Sequence, residues 1–203
     1  MGFVLGITGG VASGKTTVLE MFGELGAETI SADQIAHELL SADRFVVEEI
    51  SKQWPEAIDA DGKISRQRLG EIVFSSGEAL QKLNDIMHPR IITVLEDRVN
   101  SYRNSDNSAE VLAIEIPLLI ECSLMYLVDG VLVVDSEQQE QINRLRNRGL
   151  DDEEALRRIN SQMPLDKKKT FARWVVQNSG SIDDTRKQVQ RVWQEILHTA
   201  RTR

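Results

Sequence analysis

Residues Val4–Thr17 read VLGITGGVASGKTT: an apolar run, a cluster of glycines, then the start of a helical pattern. Gly9, Gly14, Lys15 and Thr16 fit G-x-x-x-x-G-K-[ST]. In that spacing the glycines let the backbone curl until successive N–H groups converge on a phosphate. A helix starting near Gly14 adds the positive end of its dipole to the cradle. Lys15 is then placed to bridge the β- and γ-phosphates of a nucleotide, and the Thr16 hydroxyl to ligate Mg²⁺. The flanks agree with this reading. Phe3–Ile7 is a strand pattern, and Val18, Leu19, Phe22 and Leu25 recur at helical spacing.

A chain of 203 residues with 41% hydrophobic and 28% charged residues suits one domain, with room for inserted subdomains. No apolar stretch approaches the roughly 18 residues of a membrane span, and the N-terminal segment lacks the pattern of an export signal, so a cytoplasmic protein is expected. Cys122 is the one cysteine. It is expected to be a buried bystander, with no disulfide or zinc role. The net charge of −8 disfavours a broad nucleic-acid surface while leaving room for a local cationic site.

Beyond the loop helix, Gly26-Ala27-Glu28 is a stop and Thr29-Ile30 a short second strand ending at Ser31-Ala32-Asp33. Asp33 has two readings: Ser31 or Asp33 as the N-cap of the helix carrying Ile35, Leu39 and Leu40, or Asp33 as a carboxylate at the ligand-binding edge of a parallel sheet. The span from Asp33 to Val111 is too long for a simple connection and is mostly helical in pattern, which predicts an inserted subdomain. Helices are expected over Ser65–Phe74 and Glu78–Met87. Pro89 favours a new helix start, so that His88 and Arg90 lie beside a helix N-terminus able to take an anion. Arg66 and Arg68, after the Asp61-Gly62 turn, read either as substrate contacts or as a solvated face. Asn104–Ser108 is a polar loop.

Val111–Ile120 is a near-continuous apolar run, as in a strand covered on both faces, interrupted by Glu115. That carboxylate belongs either to a Mg²⁺ shell or to an exposed strand end. Gly130–Asp135 and Trp174–Val176 are further strands, and strands alternating with helices imply an α/β protein with a doubly wound parallel sheet. Between Arg144 and Arg173 lie nine of the 24 Lys and Arg against five acids. Such a cluster reads as a lid over a triphosphate or as a helical surface laced with ion pairs, Asp151–Glu154 facing Arg157 and Arg158; a split between the two is expected, with Arg148 functional.

Taken together and in order, several stretches resemble the dephospho-coenzyme A kinase family. They are TGGVASGKTT (Thr8–Thr17), SADQIAHELL (Ser31–Leu40), DGKISRQRL (Asp61–Leu69), IMHPRI (Ile86–Ile91), IPLLIE (Ile116–Glu121), RLRNRGL (Arg144–Leu150), RINSQM (Arg158–Met163) and VVQNSG (Val175–Gly180). The resemblance implies a P-loop kinase of the nucleoside-monophosphate-kinase type, with core 1–33, 109–137 and 172–203, a helical acceptor-binding insertion 34–108 and a lid 138–171. It implies ATP-dependent phosphorylation of the ribose 3′-hydroxyl of dephospho-coenzyme A by a monomer. ATP is the donor and Mg²⁺ the cofactor, with neither nucleic acid nor membrane as partner.

The implied roles are residue by residue. Asp33 is the base, with Lys15 and Arg148 catalytic beside it. Gly9, Gly10, Val11, Ala12, Ser13, Gly14, Lys15, Thr16, Thr17 and Asn178 hold the nucleotide, Asn178 near the adenine. Asp33, Arg66, His88, Pro117 and Leu118 contact the acceptor, and Thr16 and Glu115 the metal. Four positions depart from the family pattern. Ala12 replaces a common glycine, which is tolerated if φ there is negative. Ser31 stands where a second aspartate is common, Glu115 where aspartate is, and RLRNRGL is about one residue short. Three competing readings are weaker: a nucleoside or other metabolite kinase within the same class, a regulatory GTPase, since Asp59–Gly62 matches D-x-x-G but no N-K-x-D follows, and a nucleic-acid-dependent ATPase, which the acidic balance opposes.

Overall fold

The computed structural model describes residues 2–105 and 109–201 and divides into two compact units, one running to Ser31 and resuming at Val99, the other Ala32–Arg98. In the first unit five parallel strands, β1 (Phe3–Gly9), β2 (Glu28–Ser31), β3 (Val111–Glu115), β4 (Gly130–Asp135) and β5 (Trp174–Gln177), lie in the order β2-β3-β1-β4-β5. All seven residues of β1 and all five of β3 are buried, as strands covered on both faces must be. Phe3, Leu5 and Ile7 join Val18, Leu19 and Phe22 of α1 (Lys15–Glu24) and Val189, Val192, Trp193 and Ile196 of α9 (Ile182–Arg201) in one apolar cluster. The register pairs Ile7 and Ser31 with Glu115, so three strands reach the same edge together. The loop 10–14 starts from that edge.

Glu115 is not an exposed strand end: it is 2% exposed. Nor does its strand run on to Ile120. Ile116 N still donates to Ile7 O at 2.9 Å, but Pro117 has no N–H for the next rung, and the chain turns there, with Leu119 N on Ile116 O and Cys122 N on Leu118 O. Cys122 is half-buried rather than buried, and burial, aided by the Glu121 charge, raises its thiol above the ordinary value. It is a poor nucleophile.

The second unit is helical: α2 (Ala32–Ala42), α3 (Arg44–Gln53), α4 (Arg66–Ser75), and α5 (Gly77–Asn104) as far as Arg98. Asp43 and Ser65 cap α3 and α4, accepting from Val46 N and Arg68 N. The new helix start expected at Pro89 does not occur. Pro89 lies inside α5, exposed, where its ring is turned outward and costs one backbone bond within a 28-residue helix. Met87 and Leu95 on either side are buried and hold the helix through the interruption. His88 and Arg90 are therefore mid-helix, without the helix N-terminus that would have made them an anion site. Arg90 instead faces Asp43 at 3.6 Å and lies over the Phe45 ring at 4.6 Å. The expected polar loop at Asn104–Ser108 is half accounted for: Asn104 ends α5, and residues 106–108 lie outside the described residues.

The remaining helices, α6 (Gln138–Arg146), α7 (Asp152–Asn160) and α8 (Leu165–Lys169), fill the span between β4 and β5 and belong to the first unit. No described helix is long and apolar enough to cross a membrane.

Candidate active site

The loop folds as its glycines require. Gly14, at the N-cap of α1, has φ +91°, and a Cβ there would sit 2.0 Å from Asn178 Nδ2, so both conformation and space exclude a side chain. Ala12 overturns the expectation of a negative φ, since its φ is +54°. The left-handed region costs an L-residue about 1–2 kcal/mol. Two contacts offset that: the buried methyl packs with Leu145 and Ala155, and Ala12 O accepts from Arg144 Nη1 at 3.0 Å. Ser13 N closes the turn on Gly10 O at 3.2 Å. Lys15, 8% exposed, donates from Nζ to Gly10 O at 2.8 Å.

Three side chains, two from α6 and one from the segment after β5, hold this loop from outside. Gln141 Nε2 on α6 donates to Val11 O at 2.8 Å. Arg144, one turn further on, reaches Ala12 O and, from Nη2, Asn178 O. Asn178, past β5, donates from Nδ2 to Ser13 O at 2.7 Å and accepts at Oδ1 from Thr185 Oγ1 at 3.0 Å. Both polar atoms of its amide thus serve the loop and α9, which gives Asn178 a bracing task that the adenine reading did not include.

On the β3 side, Thr16 Oγ1 donates to the Glu115 carboxylate at 3.1 Å to Oε1 and 3.2 Å to Oε2, and Ser31 Oγ meets Oε2 at 3.4 Å. Ser31, the last residue of β2 and the one before α2, turns its hydroxyl to Glu115. Asp33 is not the cap either: it is the second residue of α2, exposed in the first turn, where the helix dipole favours its charge. Three oxygen-bearing side chains from α1, β2 and β3 thus meet beside the loop, the donor set that a small hard cation prefers.

The basic segment divides by burial. Lys168 is fully buried, its ammonium on Gly9 O (3.3 Å), Pro117 O (2.9 Å) and Glu121 Oε1 (2.9 Å), while Glu121 Oε1 also accepts from Met163 N at 3.2 Å. Lys169 pairs with Asp135 at 2.8 Å and Asp166 at 2.7 Å. Arg157 and Arg158 make the expected i,i+4 pairs with Glu153 and Glu154, and Arg146 pairs with Asp152. Arg148 is exposed just past α6, ahead of Gly149 with φ +90°. Pro117 contributes its carbonyl, which also accepts from Thr8 Oγ1 at 3.0 Å, and Leu118 is half-buried beside it. In the helical unit Arg66 Nη2 lies 2.6 Å from His37 Nε2. Sequence alone does not single out Gln141, Arg144, Lys168 or His37 as individual site residues; Arg144 and Lys168 lie within the basic cluster and His37 within Ser31–Leu40, whereas no sequence signal marks Gln141.

Residues 3–184 match the family model described as dephospho-CoA kinase. The dephospho-CoA kinase of Carboxydothermus hydrogenoformans is 38% identical over 194 residues, 95% of this chain and 93% of that protein. Among solved structures, the dephospho-CoA kinase from Campylobacter jejuni superposes with a TM-score of 0.71 at 30% identity, covering 97% of this chain and 98% of that one. A shikimate kinase from Acinetobacter baumannii, at a TM-score of 0.58 and 15% identity over 98% and 95% of the two chains, shares the fold alone. Motifs in order, sheet topology and full-length similarity agree: the chain belongs to the dephospho-CoA kinase family, whose members carry out the final, ATP-dependent step of coenzyme A biosynthesis.

Proposed function

We propose that the loop 9–17 takes the phosphates of ATP, that Asp33 accepts the proton of the acceptor's ribose 3′-hydroxyl, and that Arg148 meets the transferring phosphoryl group from a lid spanning 138–171. The helical insertion, 34–108, is the acceptor-binding part in this reading, with Arg66 and His88 on it and Pro117 and Leu118 on the core. The protein acts as a cytoplasmic monomer, without nucleic acid. Transfer of a γ-phosphoryl group needs little covalent help from the protein, so positioning and charge carry the catalysis. Lys15 exchanges its bond to Gly10 O for the β- and γ-oxygens and follows the charge as it spreads. Gln141, Arg144 and Asn178 hold the loop carbonyls, which leaves the loop N–H groups directed at the phosphates. Asn178 lies near the adenine through its backbone while its side chain braces the loop.

The observation that carries this reading is the meeting of Thr16, Glu115 and Ser31 around one buried carboxylate, 3.1 to 3.4 Å apart. These oxygens fit Mg²⁺, with Thr16 and Glu115 as its holders, directly or through water. When bound, Mg²⁺ neutralises charge on the β- and γ-phosphate oxygens. Glu115→Gln keeps the shape and removes the charge, so the Mg²⁺ concentration for half-maximal rate should rise about 10- to 100-fold while the thermal midpoint holds. A Mg²⁺ dependence equal to wild type contradicts the assignment.

A further inference from the structure

The helical unit contains a cavity of about 240 Å³ lined by His37, Leu40, Val47, Lys63, Ile64 and Arg66, with Ser41 and Gly62 completing the wall. Three of its side chains carry or can carry positive charge and none carries negative charge, in a protein of net charge −8. Two elements bring the first two basic side chains together. His37 lies on the exposed face of α2, and Arg66 opens α4, directly after the Ser65 cap. Their side chains meet at 2.6 Å. A guanidinium has donors only, so in this arrangement His37 Nε2 accepts and its proton is on Nδ1. The Asp59–Lys63 turn fixes the third basic residue: Asp59 N donates to Lys63 O at 2.8 Å and Lys63 N to Asp59 Oδ1 at 2.9 Å. Behind the charges, Leu40, Val47 and Ile64 supply an apolar wall.

We infer that this cavity is a second phosphate site, separate from the glycine loop, which holds the 5′-diphosphate of the acceptor on Arg66, His37 and Lys63 and rests the adjoining branched alkyl part of its arm on Leu40, Val47 and Ile64. The inference rests on the reading of Ala32–Arg98 as the acceptor-binding unit, and its ligand follows from chemistry. Dephospho-coenzyme A carries its anionic charge on one group, the diphosphate, and the pantoyl segment next to it carries two methyl groups. A cationic rim over an apolar wall complements that pair, and Arg66 can engage phosphate through two parallel N–H donors. Specificity for this acceptor over a bare nucleoside then comes from His37, Lys63 and Arg66, His37 lying one turn along α2 from Asp33. Asp33 acts on the hydroxyl itself.

Arg66→Ala and His37→Ala test this, since both side chains are exposed and neither belongs to the apolar core. Each variant should bind dephospho-coenzyme A about 10- to 100-fold more weakly by calorimetry and bind ATP as wild type does. The dependence of Kd on salt should also flatten in Arg66→Ala, because a lost phosphate contact removes a screened charge interaction; Arg66→Lys should recover part of both effects. Dephospho-coenzyme A binding within threefold of wild type in both variants overturns the inference, as does weakened binding with an unchanged salt slope, which would move the contact off the diphosphate. Failure of wild-type enzyme to phosphorylate dephospho-coenzyme A would instead remove the underlying reading, so the two failures are distinct.

Discussion

Two groups of cations drawn from one basic stretch do opposite things in this fold. Lys168 and Arg144 turn inward, onto the carbonyls of Gly9, Pro117, Ala12 and Asn178. Arg146, Arg157 and Arg158 turn outward, onto Asp152, Glu153 and Glu154. By composition the groups are alike. They differ in what they hold: Lys168 has given up water entirely and half-buried Arg144 is tied to backbone carbonyls, so each depends on its partners, whereas the outer ones pair with acids on their own or neighbouring helix and such pairs are worth little. A high local density of lysine and arginine is therefore not itself a binding site. Its meaning is set by which face of α6, α7 and α8 each residue occupies.

The comparison can be broken residue by residue. Among the cations Lys15→Ala should show the largest effect, about 10²- to 10³-fold in kcat with the fold intact, because its ammonium acts on charge that develops in the transition state; near-normal turnover in a steady-state assay would remove the loop from the chemistry. Lys168→Met should come next, since it strands the Glu121 carboxylate and two carbonyls. A loss of about 3 kcal/mol in denaturant unfolding is expected, with partial recovery in the double variant Lys168→Met, Glu121→Gln. A loss under 1 kcal/mol would place Lys168 with the outer group. The smallest effects separate two exposed arginines. Arg148→Ala should lower kcat about tenfold and leave acceptor binding nearly unchanged, while Arg157→Ala should stay within about 0.5 kcal/mol of wild-type stability and leave kcat as it is. Equal kcat values for the two variants would return Arg148 to the ion-pair surface.

Much of the core was legible. The strands were found because buried parallel strands read as apolar runs, and the loop because few backbones other than a phosphate cradle call for that glycine spacing. What was not legible has specific physical causes. Pro89 reads as a boundary locally, but a helix packed through Met87 and Leu95 tolerates one missing bond. Ala12 reads as a negative-φ residue until Arg144, 132 positions away, pins its carbonyl. Lys167, Lys168 and Lys169 are indistinguishable as letters, and only the short turn of α8 decides that the middle one is fully buried. The bond from Ser31 to Glu115 has no local signal, because it depends on the pairing of β2 with β3.

The account stands most directly on Asp33, an exposed carboxylate in the first turn of α2. Asp33→Asn preserves size and helix compatibility but cannot take a proton; stability should fall by no more than about 1 kcal/mol, the worth of a charge in the first helical turn, and ATP binding should be unchanged. Single-turnover and steady-state rates with dephospho-coenzyme A should fall roughly 10²- to 10⁴-fold, toward the low end if the transition state is loose and the proton leaves late. Folded Asp33→Asn enzyme retaining more than about a third of wild-type kcat would contradict the assignment of Asp33 as the base.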